Sequence, residues 1–199
     1  MRKITFIFAL TFAALTVGAQ NNWHFEANGN GTCKVVPYEH DHNHFWYTDE
    51  NGNDRYTSVH ASCHSYSGGA DIPSTDGYGN TVTAIGSGCF DLCDITSVNI
   101  PGTVNTIEAN AFKECKRLQR VTIPEGVTII GDWAFLYCDA LNSVSLPSTL
   151  LQIGGDAFRG LKEVKEFTIP GNVENIGNGA FMGMGSLEKI TIADGPEML

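Results

Sequence analysis

The chain has 199 residues, with 12 lysines and arginines against 22 aspartates and glutamates, so its net charge is −10. This charge repels polyanions, and no basic stripe interrupts it, which makes nucleic acid and anionic membrane surfaces poor partners. The sequence contains no nucleophile elbow, phosphate-binding glycine loop or zinc-protease motif. We therefore expect a protein that is not an enzyme and needs no cofactor.

The first 19 residues have the order of a secretory signal. Arg2 and Lys3 precede an apolar run over residues 4–15, and the small residues Val17-Gly18-Ala19 predict cleavage after Ala19. The apolar run is too short to cross a bilayer about 30 Å thick, and no later stretch approaches that length. We expect an exported chain with no transmembrane segment, in the periplasm, on the cell surface or outside the cell.

Residues 20–64 do not repeat and are predicted to form a small β-rich N-terminal cap. One hairpin is expected over residues 25–36, around Asn28-Gly-Asn-Gly31, and another over residues 45–59, turning at Asn51-Gly52. A stack of repeats needs its first unit covered, which favours a cap. A separate binding domain is the alternative.

The predicted cap also carries all six histidines. Three of them occupy alternate positions and would share one face of an extended segment, and two more follow: His40, His42, His44, His60 and His64. Imidazole and the neighbouring carboxylates suit zinc or copper. However, the spacing matches no structural zinc pattern, so a solvated polar loop is the simpler interpretation and a metal site remains a hypothesis.

Five phenylalanines recur 23 residues apart, after one first step of 22: Phe90, Phe112, Phe135, Phe158 and Phe181. A second column, of isoleucines, keeps nearly the same step: Ile85, Ile107, Ile130, Ile153 and Ile176. A fixed period of about 20 to 50 residues indicates stacked identical units. This pattern favours a binding or structural surface over an enzyme pocket.

Residues 118–138 show the parts of one unit most clearly. Apolar and polar residues alternate over 120–123, which predicts a strand with one buried face, and Pro124 ends that strand. A second inward-facing segment over 127–130 returns the chain. Asp132 is a good N-cap, and it predicts a short helical turn after it.

Such a unit is too small to bury its own apolar face, so the units must stack on one another. The strands would pair in parallel, about 4.8 Å apart, and their inward side chains would form two ladders: Val98, Val121, Val144, Phe167, Ile190; and Ile100, Ile123, Leu146, Ile169, Ile192. The predicted fold is an α/β repeat solenoid dominated by β-structure, over residues 65–192. Residues 193–199 would be a short tail that scarcely covers the last coil.

The repeated phrase, seen as Val127-Thr-Ile-Ile-Gly-Asp-Trp-Ala-Phe-Leu-Tyr-Cys138, resembles the BspA-like leucine-rich repeats of secreted bacterial proteins. The resemblance implies a right-handed, curved solenoid with strands along its concave face. It also implies a surface or secreted module for binding or adhesion. Departures occur in individual repeats, since Cys89 replaces the alanine before Phe90, and Leu161 and Met184 replace the cysteine.

The six cysteines divide into two groups by position. Four belong to the predicted interior of the repeats, where a thiol acts as a small hydrophobic group: Cys89, Cys93, Cys115 and Cys138. The other two, Cys33 and Cys63, fall in the predicted cap of an exported protein. They either form a disulfide or remain thiols.

The outward positions of the repeat strands are where we expect a ligand. Their side chains are mostly short, polar and mixed in charge: Ser97, Asn99, Arg120, Thr122, Ser143, Ser145, Glu166, Thr168, Lys189 and Thr191. They include no aromatic anchor, so a solvated polar face without a binding role is the plainer interpretation.

The function predicted from the sequence is a secreted, noncatalytic module that binds an extracellular protein or glycan through the concave face, for adhesion or recognition. One alternative is an exported metal-binding protein that uses the segment from His40 to His64. Another is an assembly protein that self-associates through its exposed terminal coil.

Overall fold

The computed structural model describes six parts of the chain: residues 24–27, 32–36, 46–48, 54–56, 67–76 and 80–194. The predicted signal, residues 1–19, lies outside them. None of the described residues belongs to a helix that is long and apolar enough to cross a membrane.

The described residues form fifteen strands: β1 (His24–Ala27), β2 (Thr32–Val36), β3 (Trp46–Thr48), β4 (Asp54–Tyr56), β5 (Ser67–Asp71), β6 (Thr81–Ile85), β7 (Asp94–Asn99), β8 (Thr106–Ile107), β9 (Arg120–Thr122), β10 (Ile129–Ile130), β11 (Ser143–Ser145), β12 (Gln152–Ile153), β13 (Glu166–Ile169), β14 (Asn175–Ile176) and β15 (Lys189–Ile192). From β5 onward they alternate between two walls of a solenoid. The odd strands form the strand wall, and the even strands form the return wall. The handedness and curvature implied by the resemblance stay predictions.

The return wall is a parallel sheet in which each coil lies in register with the next. Its strands pair in the order β6, β8, β10, β12 and β14. The isoleucine column identified in the sequence therefore forms a continuous row across the sheet: Ile85, Ile107, Ile130, Ile153 and Ile176. The 23-residue period of the sequence is therefore the length of one coil.

The N-terminal hairpin extends this return wall. β1 and β2 pair antiparallel, and β2 pairs in parallel with β6, where the buried Val35 lies opposite Ile85. The Lys34 ammonium lies 3.4 Å from the Glu108 carboxylate, which also accepts a hydrogen bond from the Ser87 amide at 2.9 Å. Glu108 follows Ile107 at the position where the other coils have glycine, and it thus links the hairpin to the coils. The domain boundary at residue 64 stays a prediction.

The phenylalanine column stacks through the interior, as the sequence predicted. Ring centroids of successive members lie 5.0, 5.1, 5.4 and 5.9 Å apart, and the rings are within 10° of parallel. The first four members are buried, and Phe181 in the last coil is only partly buried. Stacked aromatic pairs add to the energy of burying these rings, so this column is a major source of stability.

The helical turn predicted after Asp132 is wrong, because the described residues contain no helix. The third wall of each coil is a run of tight turns, called here the turn wall: residues 87–92, 109–114, 132–137, 155–160 and 178–183. In every run but the last, alternate amides donate to the next coil, as from Phe135 to the Ala157 carbonyl at 2.8 Å. The amides between them donate three residues back along the chain, as from Leu136 to Trp133 at 3.1 Å.

Backbone angles show why a helix cannot form there. Each run of turns has two positions with positive φ, such as Trp133 at 57° and Tyr137 at 55°. A right-handed helix requires negative φ throughout, whereas the third residue of a type II turn has positive φ. The hydrogen bonds between coils therefore override the local helix signal of Asp132.

A glycine follows the isoleucine column at residues 86, 131, 154 and 177, and contacts between coils explain three of these glycines. A Cβ atom on Gly131 would lie 2.6 Å from the Ala109 amide nitrogen and 2.8 Å from the Glu108 carbonyl carbon. Gly154 and Gly177 meet the backbone of their preceding coils in the same way. At these three glycines the successive coils approach too closely for a side chain, whereas Glu108 is accommodated in the same column of an earlier coil.

The strand wall is not one continuous sheet, although the sequence predicted strands paired throughout. β5, β7, β9 and β11 form one parallel sheet, β13 and β15 form another, and no ladder joins β11 to β13. The interior ladder changes at this step from Val144 to the larger Phe167, whose ring packs edge-on against Phe158 at 5.1 Å and Phe181 at 5.0 Å. We attribute the break to this change in size.

The two predicted ladders of the strand wall are buried or partly buried except in the last coil. There, Ile190 is 46% exposed and Ile192 is 72% exposed, because no described coil covers them. Ile176 of the return wall is likewise 49% exposed. The last described coil therefore presents an apolar edge.

Candidate binding surface

The outward residues of the strand wall form one surface, called here the strand surface: Ser97, Asn99, Arg120, Thr122, Ser143, Ser145, Glu166, Thr168, Lys189 and Thr191. All ten side chains are exposed. Pairing places them in two rows, because Ser97 aligns with Arg120 and then Ser143, while Thr122 aligns with Ser145. The period-two alternation in each strand fixes this arrangement, since inward residues fill the core.

The break in the strand wall divides this surface into two patches. The N-terminal patch contains Arg120 among hydroxyl and amide groups. In the C-terminal patch, Glu166 aligns with Lys189, and Thr168 with Thr191, on paired strands. Hydroxyls both donate and accept hydrogen bonds, and the planar guanidinium of Arg120 offers fixed donors. The surface can therefore bind a polar ligand, but it brings together no nucleophile and base.

The predicted metal and disulfide residues lie outside the part of the chain that shows side chains. Six of them are not among the described residues: His40, His42, His44, His60, His64 and Cys63. Of Cys33, only the backbone is described, within β2. Within residues 67–76 and 80–194, no group of three or more His, Cys, Asp or Glu residues could hold a metal ion. Both hypotheses stay predictions.

The cysteines of the repeats are interior packing groups, as predicted from their positions. Cys115 and Cys138 are fully buried, and their thiols donate to the Phe90 carbonyl at 3.0 Å and the Phe112 carbonyl at 3.1 Å. Burial, together with the neighbouring Cys138, raises the pKa of the Cys115 thiol well above its usual range. A thiol held protonated in a closed core is a poor nucleophile.

A second feature was missed in the sequence, a shallow groove on the turn wall. We call it the turn groove, and it is lined by Glu114, Lys116, Tyr137, Asp139, Arg159, Gly160, Lys162, Met182 and Gly183. One signal was present: Tyr137 occupies a column in which the next two coils have Gly160 and Gly183. Only the structure shows that these residues converge.

The repeats identify the family to which this chain is related. A family model described as "BspA type Leucine rich repeat region (6 copies)" matches residues 83–198, which is more than half of the chain. The chain belongs to the BspA-type leucine-rich repeat family. The prediction made from the repeated phrase is confirmed. Among curated proteins, none matches this chain.

Several solved structures resemble this leucine-rich repeat protein. One, a leucine-rich repeat protein from Bacteroides ovatus, is 30% identical with a TM-score of 0.65, and the match covers 85% of this chain and 39% of that one. A leucine-rich repeat protein from T. pallidum is 22% identical with a TM-score of 0.66, covering 83% and 66%. The pneumococcal vaccine antigen PcpA is 21% identical with a TM-score of 0.50, covering 66% and 40%.

These matches establish the architecture of repeats and bear on function more coarsely. The chain spans 39% and 66% of the length of the first two structures, so neither protein is matched as a whole. Fold alone does not determine function, because binding residues differ among proteins that share a scaffold. The family suggests a module for binding or recognition.

Proposed function

We propose that this protein is an exported, noncatalytic module that recognises an extracellular protein or glycan through the strand surface. The observation that carries the proposal is the exposure of all ten outward positions, in two rows that cross successive parallel strands. The interior of the same coils is filled by the phenylalanine stack, which leaves no room there for a ligand. Recognition must therefore use an outer surface.

Export and adhesion belong to this proposal as well. The support for export is the basic, apolar and small-residue order of residues 1–19. The support for adhesion is membership in a family of leucine-rich repeat proteins, for which binding is the suggested role. We propose a location outside the inner membrane, in the periplasm, on the surface or in the medium.

The test is binding of the mature chain, residues 20–199, to an array of extracellular matrix proteins and glycans, with and without EDTA. Arg120→Ala and Glu166→Ala change one charge in each patch of the strand surface. Arg117→Ala and Glu163→Ala are matched controls, because both residues are exposed and neither belongs to that surface.

We expect a saturable hit that EDTA does not affect and that Arg120→Ala or Glu166→Ala weakens about tenfold or more, as for a residue central to an interface. The control variants should bind like the unaltered chain. If all four variants bind every hit equally well, the strand surface has no role in recognition. A hit abolished by EDTA would instead favour the hypothesis of a metal site between His40 and His64.

The apolar edge of the last described coil supports a second candidate, self-association. Ile190 and Ile192 are exposed on β15, whose outer edge is unpaired among the described residues. Exposed strand edges pair readily with other chains. Light scattering tests this candidate: Ile192→Asp should reduce an observed oligomer, and a chain that stays monomeric at high concentration would contradict it.

A further inference from the structure

The turn groove is a second surface feature, a shallow concavity open to solvent. It has a volume of about 430 Å³, within the range of small-molecule sites, and it crosses four successive coils of the turn wall. It shares no residue with the strand surface, so an inference about it goes beyond the function proposed above. A patch of this size is also much smaller than a stable interface between proteins.

The floor of the groove is made by an aromatic ring seated on a glycine. The Tyr137 ring fills the space that a side chain at Gly160 would need, because a Cβ atom there would lie 2.7 Å from Tyr137 Cε1. The ring is thus fixed against the next coil, yet Tyr137 remains 39% exposed. Met182, 56% exposed, lines the same groove one coil further on.

The backbone at Tyr137 is strained for a residue of this kind. Its φ of 55° lies in the left-handed region, which a bulky side chain rarely adopts. Gly160 and Gly183 occupy the same position in the next two coils, with φ of 76° and 72°. Leu92 and Glu114 occupy the same position in the two preceding coils, with φ of 61° and 55°, so the left-handed backbone belongs to the repeat. What distinguishes Tyr137 is an exposed aromatic ring at that position.

Charged groups around the ring are paired, which sets the chemistry of the groove. The Lys162 ammonium lies 3.0 Å from Asp139, the Lys116 ammonium 3.5 Å from Glu114, and the Arg159 guanidinium 3.3 Å from Asp156. These pairs offer fixed donors and acceptors with little net charge.

We propose that the turn groove binds an uncharged glycan, with one sugar ring packed on Tyr137 and its hydroxyls bonded to the surrounding ion pairs. A pyranose ring has an apolar face for the aromatic ring and hydroxyls that both donate and accept hydrogen bonds. An acidic sugar would compete with Asp139, Glu114 and Asp156 for the cations, in a chain whose net charge is −10. The groove therefore favours a neutral sugar.

The experiment is calorimetric titration of the mature chain with hexasaccharides of glucose, mannose and N-acetylglucosamine, and with an acidic hexagalacturonate. We expect saturable binding of a neutral hexasaccharide that Tyr137→Ala weakens about tenfold or more, while Tyr137→Phe retains it because the ring remains. Trp133→Ala is the matched control, since Trp133 has φ of 57° and is 44% exposed but does not line the groove.

A second variant separates binding from folding. Tyr137→Gly relieves the backbone strain, so we expect its melting temperature to be close to that of the unaltered chain while binding is lost. Arg120→Ala should leave this binding unchanged, which keeps the test independent of the strand surface.

Three results would overturn the proposal: no neutral hexasaccharide bound at millimolar concentration, tighter binding of hexagalacturonate than of every neutral sugar, or equal binding by Tyr137→Ala. Loss of a protein hit on the array by Tyr137→Ala, without any sugar binding, would assign the groove to a protein partner instead.

Discussion

Replacing Phe135 by alanine is the most direct perturbation of the core. The Phe135 ring is fully buried, and it stacks between Phe112 at 5.1 Å and Phe158 at 5.4 Å. The substitution would remove both stacking contacts and leave a cavity in the middle of the column.

The structure sets the expected size of the effect. Truncation of a buried phenylalanine to alanine costs about 3–5 kcal/mol, depending on how far the surroundings can collapse into the cavity. Here backbone hydrogen bonds fix the spacing between adjacent coils on both sides of the ring, from the Phe112 amide to the Ala134 carbonyl and from the Phe135 amide to the Ala157 carbonyl, each 2.8 Å long. Because collapse is resisted, we expect a loss in the upper half of that range.

Urea denaturation followed by circular dichroism measures the change in the free energy of unfolding. Phe181→Ala is the control, because its ring belongs to the same column but is only partly buried, and its stacked neighbour lies at 5.9 Å. We expect the control to lose about half as much stability. A loss of less than about 1.5 kcal/mol for Phe135→Ala, or equal losses for the two variants, would refute the role given to the column.

Three further predictions concern the close approach of coils and the buried thiols. Gly131→Ala should lower the free energy of unfolding by about 1–3 kcal/mol in urea denaturation, because its Cβ would meet the Ala109 amide nitrogen at 2.6 Å. Gly102→Ala is the control and should change the free energy of unfolding little, because a Cβ atom there would have no heavy atom within 4 Å. Equal stability of the two variants would contradict the packing argument. The Cys115 thiol should react with a thiol reagent only as fast as the protein unfolds, because it is buried and its pKa is raised; rapid labelling of the native chain would be inconsistent with this. The folded pKa of Cys115 lies above the unfolded value of about 8.5. The contribution of the protonated thiol to the free energy of unfolding should therefore be complete below about pH 8.5 and should decline as the pH rises towards the folded pKa. In denaturation experiments, Cys115→Ala should show a weaker decline over this pH range.

Periodicity made much of this fold predictable. The phenylalanine and isoleucine columns were visible because each residue recurs at the length of one coil, and the structure places each column in one continuous row. The same reasoning placed the outward positions of the strand surface, since inward and outward residues alternate along each strand.

The predicted helical turn failed because the sequence signal was local and the deciding contacts were not. Asp132 is a good N-cap when its own neighbours are considered alone. In the structure, its carboxylate instead accepts a hydrogen bond at 2.6 Å from the Gly155 amide, one coil further along. Propensity is a weak guide where contacts between coils determine the backbone.

The turn groove was missed for a related reason. The sequence signal at Tyr137 was glycine in the same column of the next two coils, and it does not show that the Tyr137 ring would occupy the space beside Gly160. Periodicity identifies equivalent residues, but it does not show which column of one coil contacts which column of the next. The contacts between columns of successive coils depend on the positive φ angles of the turn wall.

The central claim is that recognition uses the strand surface, and surface plasmon resonance on the array hits tests it most directly. The dissociation constant of each hit should be compared for the unaltered chain, Arg120→Ala, Glu166→Ala and Tyr137→Ala. We expect at least one hit whose affinity falls about tenfold or more in Arg120→Ala or Glu166→Ala and does not fall in Tyr137→Ala. The absence of any hit weakened in either strand-surface variant would contradict it.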